Sequence, residues 1–140
     1  MENKNEKQRF SPGRRMLSFK YAIRGISHMM ATQHNTWIHL AISVIVIVAG
    51  IWFELSPAEW VLIALTIGIV FAAEAFNTAI EMLVDKISPD FDPVAGRVKD
   101  VAASGVLISA LVAVVVGVII FLPKIIGSSY ICRNHLKTLF

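Results

Sequence analysis

Between Arg24 and Lys86 the chain has no lysine or arginine, and from Val101 to Leu122 it has no charged residue at all. Stretches that apolar exclude a continuous basic face, and no nucleic-acid motif accompanies the basic residues elsewhere. Cysteine is reduced to Cys132, which excludes an intramolecular disulfide. With 8 glycines and 5 prolines, breaks are few. Ser56-Pro57 marks one turn, and Ser88-Pro89-Asp90 with Asp92-Pro93 marks another. No internal repeat or low-complexity tract is present. A Walker A loop is missing, as is a glycine-rich loop of the protein-kinase kind, which excludes those nucleotide cradles. No removable signal peptide is expected, because the first 35 residues are polar and basic.

What fills the chain instead is hydrocarbon. Of 140 residues 56% are hydrophobic, and the mean hydropathy is +0.66. That balance points to membrane spans within one small domain. Three runs approach the roughly 20 residues that cross a bilayer core of about 30 Å. The sequence predicts an all-α membrane protein with spans at about 36–55, 58–86 and 99–122. Residues 1–10 read as a disordered leader, charged and poor in apolar side chains. Residues 11–33 read as an amphipathic surface helix, with Ser11 as N-cap and Pro12 at its first position. Met16, Phe19, Ile23 and Ile26 recur at helical spacing opposite Arg14, Arg15 and Arg24. Residues 11–124 make the membrane domain, and 125–140 form a tail of unknown role.

Charge orients it. Seven cations precede the first span, and Lys86, Arg97 and Lys99 lie between the second and third. The loop after the first span carries only Glu54 and Glu59. The positive-inside rule then predicts a cytoplasmic N-terminus.

Two regions carry chemistry. Glu74-Ala75-Phe76-Asn77-Thr78-Ala79-Ile80-Glu81 ends the apolar segment that starts at Val61. Spacings of three and seven residues put Glu74, Asn77 and Glu81 on one helix face. Ionisable groups at membrane depth are costly and therefore rare outside functional sites. The two carboxylates stand about 10 Å apart along the axis, too far to grip one ion, but suited to a base and a separate metal ligand. Beyond the proline-rich turn, Arg97, Lys99 and Asp100 are expected just before the third span, where Arg97 and Lys99 can meet phosphate oxygens. Together these groups suggest a membrane-embedded phosphotransferase. The plainer alternatives stay open at this point. The polar stripe also serves as interhelical glue, the cations as headgroup anchors, Tyr21 as an interface aromatic, and the three tryptophans as belt residues. His39 reads as a packed polar group.

The motif E-A-F-N-T-A-I-E-M-L-V-D, followed by G-R-V-K-D-V-A-A-S, resembles the small integral-membrane prokaryotic diacylglycerol kinases, which include the undecaprenol kinases. The resemblance covers roughly Arg14 to Lys124. It implies a surface helix, three transmembrane helices and a homotrimer whose active sites neighbouring subunits share at the membrane–cytoplasm boundary. It further implies ATP and Mg2+, with the γ-phosphate moving onto a lipid hydroxyl in the bacterial cytoplasmic membrane. By resemblance Glu74 is the catalytic base, and a carboxylate partly desolvated at the bilayer edge is a strong one. Glu81 is the metal ligand, and Asn77 orients the reacting groups. Arg14, Tyr21, Asn77, Glu81, Asp90, Phe91, Asp92, Lys99 and Asp100 are expected on the nucleotide side. Arg14, Glu74 and Ala103 are expected beside the lipid.

Gln33 stands where the family usually has a second acidic metal ligand. Its carbonyl can ligate Mg2+ but adds no charge. The functional expectation is a lipid kinase converting diacylglycerol to phosphatidic acid. The alternatives are undecaprenol as acceptor and a non-catalytic membrane subunit on the same scaffold. R-F-x-P, S-F-K-Y-A-x-x-G-I, N-x-x-I-H and F-L-P-K-I look like the branch that includes undecaprenol kinases.

Overall fold

The computed structural model describes residues 12–90 and 92–137, with side chains described from 16 to 127 apart from Phe91. The leader, Ser11, Phe91, the Arg14 side chain and the side chains of the tail beyond 127 lie outside the described residues. Four helices follow in order: α1 (Pro12–Thr32), α2 (His34–Trp52), α3 (Pro57–Ile87) and α4 (Pro93–Lys137). Among them α2, α3 and the Pro93–Gly127 part of α4 are long and apolar enough to cross a membrane.

The break between α1 and α2 is a single residue. Gln33 takes an extended conformation (φ −105°, ψ 112°), while its N–H still bonds the Met29 carbonyl at 2.9 Å. Trp37 braces the corner by donating its indole N–H to the Met30 carbonyl. The corner therefore presents the Gln33 side chain away from either helix ladder. Of the described side chains of α1 only Met29 is buried, at 5% exposure.

At the far end of α2, Glu54 adopts a left-handed conformation (φ 49°). The Glu54 N–H bonds the Ile51 carbonyl and the Leu55 N–H bonds the Gly50 carbonyl. This is a Schellman closure with a glutamate in the position that usually takes glycine. Ser56 then starts α3 through a capping box with Glu59, and Pro57 follows as first helical residue. The packed core gathers here: Leu55, Ile63 and Ile120, with Val46, Trp60, Ile67, Val116 and Phe121 against them. Phe53 meets Phe121 edge-to-face, with ring centroids 6.1 Å apart.

The third apolar helix starts earlier and runs further than its apolar run alone predicts. The Asp92 carboxylate accepts the Val94 N–H at 2.7 Å, and Pro93 supplies a preset φ. The helix therefore begins at Pro93, and Arg97, Lys99 and Asp100 stand on its first turns rather than in a loop. It continues through Pro123 into the tail. The α3–α4 pair makes the most extensive contact in the chain, with α1 and α2 packed more lightly on α3.

Candidate active site

One stripe of α3 explains where the polar groups end up. Ile63, Val70, Glu74, Asn77 and Thr78 are its buried residues, at steps of seven, four, three and one. The face that packs hydrocarbon at one end of the helix thus turns polar at the other. Glu74 is 1% exposed and Asn77 7%. The Thr78 hydroxyl bonds the Glu74 carbonyl one turn back at 2.8 Å, so it draws nothing from the Glu74 side chain.

Glu74 shares a cleft of about 260 Å³ with Asn35, His39, Asn77, Ala103 and Val106, among others. Two of the residues assigned to the lipid side, Glu74 and Ala103, therefore face one space from α3 and α4. The ionisable neighbour of Glu74 is His39, whose Nε2 lies 3.4 Å from Oε1. That Oε1 makes no hydrogen bond, and neither do Asn77 Oδ1 nor the buried Thr36 hydroxyl oxygen. Buried polar atoms are seldom left unpaired, so the two on Glu74 and Asn77, which line one cleft, mark a place where further polar chemistry belongs.

Glu81, two turns along, is held differently. Gln33 donates its Nε2–H to Oε2 at 2.8 Å, and Asn77 donates its Nδ2–H to Oε1 at 2.9 Å. The corner at Gln33 thus delivers α1–α2 to the carboxylate of α3 across 48 residues of sequence. Among the described residues no three His, Cys, Asp or Glu side chains gather as a metal cluster. The oxygen donors here are one carboxylate and two amides, since Gln33 and Asn77 can each turn to present oxygen instead of nitrogen.

The remaining candidates disperse. Lys99 donates to Asp85 at 2.7 Å, tying the start of α4 to the end of α3. Tyr21 lines a separate cavity of about 560 Å³ between α1 and α3, with Arg24, His28 and Met82. Asp90, Asp92 and Asp100 are exposed, and Asp92 also caps α4. Among the described residues expected on the nucleotide side, Asn77 lines the Glu74 cleft, while Tyr21, Asp90, Asp92, Lys99 and Asp100 do not. Asp85 has no site role in the sequence reading, and His39, read there as a packed polar group, is packed against the Glu74 carboxylate. His39 carried a usable signal, as an ionisable residue inside an otherwise uncharged run.

Residues 20–121 match the family described as prokaryotic diacylglycerol kinase. The chain belongs to that family. It is 40% identical over 124 residues to the undecaprenol kinase of Bacillus subtilis (strain 168), covering 89% of this chain and 97% of that one. It is 38% identical over 113 residues to the diacylglycerol kinase of a Synechocystis species, covering 80% of this chain and 65% of that one. The diacylglycerol kinase of Escherichia coli (strain K12) is 33% identical over 69 residues, covering 49% of this chain and 57% of that one. The family members thus share a lipid-kinase identity but differ in the acceptor their names specify.

Proposed function

We propose that this lipid kinase transfers the γ-phosphate of ATP to the hydroxyl of a membrane lipid, with Glu74 as the base. The observation that carries the reading is a nearly fully buried carboxylate facing a 260 Å³ cleft between apolar helices. The lipid oxygen attacks the γ-phosphorus, its proton passes to Glu74, and the bond to the β–γ bridging oxygen breaks to release ADP. Asn77 stands one turn away, between Glu74 and Glu81, and orients both ends of the reacting pair.

Glu81, with the Gln33 and Asn77 carboxamides turned to present their oxygens in place of the N–H groups that now meet it, fits a hard divalent cation, because all three are then oxygen donors. Bound there with ATP, Mg2+ would neutralise phosphate charge. Lys99 and Asp100, with Tyr21 and Arg14 of α1 and the turn at Asp90, Phe91 and Asp92, serve the nucleotide. Since Tyr21 lines a cavity apart from the Glu74 cleft and Lys99 is turned to Asp85 in one chain, a homotrimer with shared sites accounts for their joint use. Such an assembly would also cover part of the apolar surface of α2, α3 and α4. α1 lies on the inner leaflet of the cytoplasmic membrane, with the N-terminus on the cytoplasmic side.

For the acceptor we favour undecaprenol over diacylglycerol. The similarity to the Bacillus subtilis undecaprenol kinase runs through 97% of that protein, against 65% for the Synechocystis diacylglycerol kinase. Phosphate transfer from labelled ATP in mixed micelles, with each lipid supplied separately and Glu74→Gln as control, tests the reading. Labelled undecaprenyl phosphate, lost in the control, is the expected result. Labelled phosphatidic acid alone would reverse the choice of acceptor. No product from either lipid in assembled protein would refute the kinase reading.

A further inference from the structure

Resting on Glu74 as the base, we propose that His39 is a positioning residue of the same reaction, orienting the Glu74 carboxylate toward the lipid hydroxyl. A carboxylate at 1% exposure in an apolar helix bundle needs a compensating partner. Among the described residues the ionisable side chain within reach is His39, with Nε2 3.4 Å from Oε1. Glu81 cannot serve, being a like charge already engaged by Gln33 and Asn77. The contact is longer than a good hydrogen bond, and Oε1 is otherwise unpartnered. Hydrogen bonds of this kind tighten when substrate binds. With Nε2–H donating to Oε1, the other carboxylate oxygen is directed to the incoming proton. The proton of the hydroxyl still ends on Glu74, and His39 neither gains nor loses a bond.

The position of the imidazole supports this role. His39 lines the polar cleft of Glu74 and also a neighbouring apolar cavity of about 240 Å³, bounded by Val46, Ile63, Val70 and Gly117 among others. It therefore stands where hydrocarbon surface gives way to the carboxylate. A primary alcohol at the end of a long apolar chain meets the same transition. The Ser43 hydroxyl bonds the backbone carbonyl of His39 one turn back at 2.7 Å, and so does not compete for the imidazole. The ring thus stands on one helix with its target on another.

The test compares the full-length wild type with His39→Leu, His39→Gln and Glu74→Gln in mixed micelles, with assembly checked by size exclusion. His39→Leu should lower kcat about tenfold to a hundredfold, the scale of a misplaced reacting group, with KM for ATP unchanged. His39→Gln keeps an N–H donor at similar reach and should recover most of that loss. An unchanged kcat in assembled His39→Leu, with Glu74→Gln inactive, overturns the role of His39 while leaving Glu74 in place. Equal losses in the leucine and glutamine variants overturn it as well, because the donor then does not matter. Full activity of Glu74→Gln would remove the base itself and is recognisable as that separate failure.

Discussion

The two ends of α3 are built to opposite rules. At the Glu59 end, the capping box satisfies Ser56 and Glu59 mutually, Lys124 reaches Glu59 at 3.3 Å, and Leu55, Ile63 and Ile120 close an apolar core. At the other end the same helix face carries Glu74 and Asn77, with side-chain oxygens that are buried and unpartnered. Glu59 and Glu74 are both glutamates on one helix, yet one is a finished structural contact and the other is not. The difference is one of satisfaction rather than composition. Polar groups that complete one another hold a fold together, while buried ones left incomplete leave room for a further partner.

Substitutions can break this contrast, and they rank by expected effect. Glu74→Gln should lower kcat about a thousandfold or more while assembly and ATP affinity persist, as general-base loss demands. Steady-state kinetics on detergent-purified protein decides it, and normal turnover would make both ends structural. Lys99→Ala should raise KM for ATP about tenfold with a small change in kcat, the signature of lost phosphate binding. An unchanged KM would assign Lys99 to the Asp85 bridge alone.

Gln33→Glu sharpens the contrast from the other direction. A second carboxylate beside Glu81 in place of an amide donor should lower the Mg2+ concentration for half-maximal activity about threefold to tenfold. It should also destabilise the metal-free protein, because two like charges then face each other. A magnesium titration of activity and a melting curve in chelator check the two halves separately.

At the finished end the effects should fall on stability. Gly50→Ala places a Cβ 2.8 Å from Trp60 Cη2 and 3.0 Å from Leu55 Cδ1. Overpacking of this kind costs about 1–3 kcal/mol. The melting temperature in detergent should fall, with kcat per folded protein unchanged. Lys124→Ala should do least, since its ion pair is partly exposed and such pairs contribute little. A large loss of activity in either variant would mean that the two ends are coupled.

Much of this was legible in residue order. The apolar runs gave the three membrane-length helices, because a helix long enough to cross a bilayer leaves its mark in one continuous segment. The face shared by Glu74, Asn77 and Glu81 was legible for a related reason: spacing of three, four and seven is a property of one helix alone. The early start of α4 was harder to see. It depends on Asp92 turning its carboxylate back to Val94, a local bond outside the hydropathy pattern. The helical course through Pro123 was hidden for a similar reason, since proline marks a stop in sequence and the chain here continues as helix.

Residue order determined the helices, their apolar extent and which polar side chains share a face, since each follows from interactions along one segment. Tertiary structure decided which faces meet. Gln33 reaches Glu81 only because a one-residue break swings two helices together, and His39 comes to Glu74 only through the rotation of α2 against α3. Those contacts depend on how side chains from separate helices interlock, and helix periodicity carries no record of the rotation or the depth at which they do so.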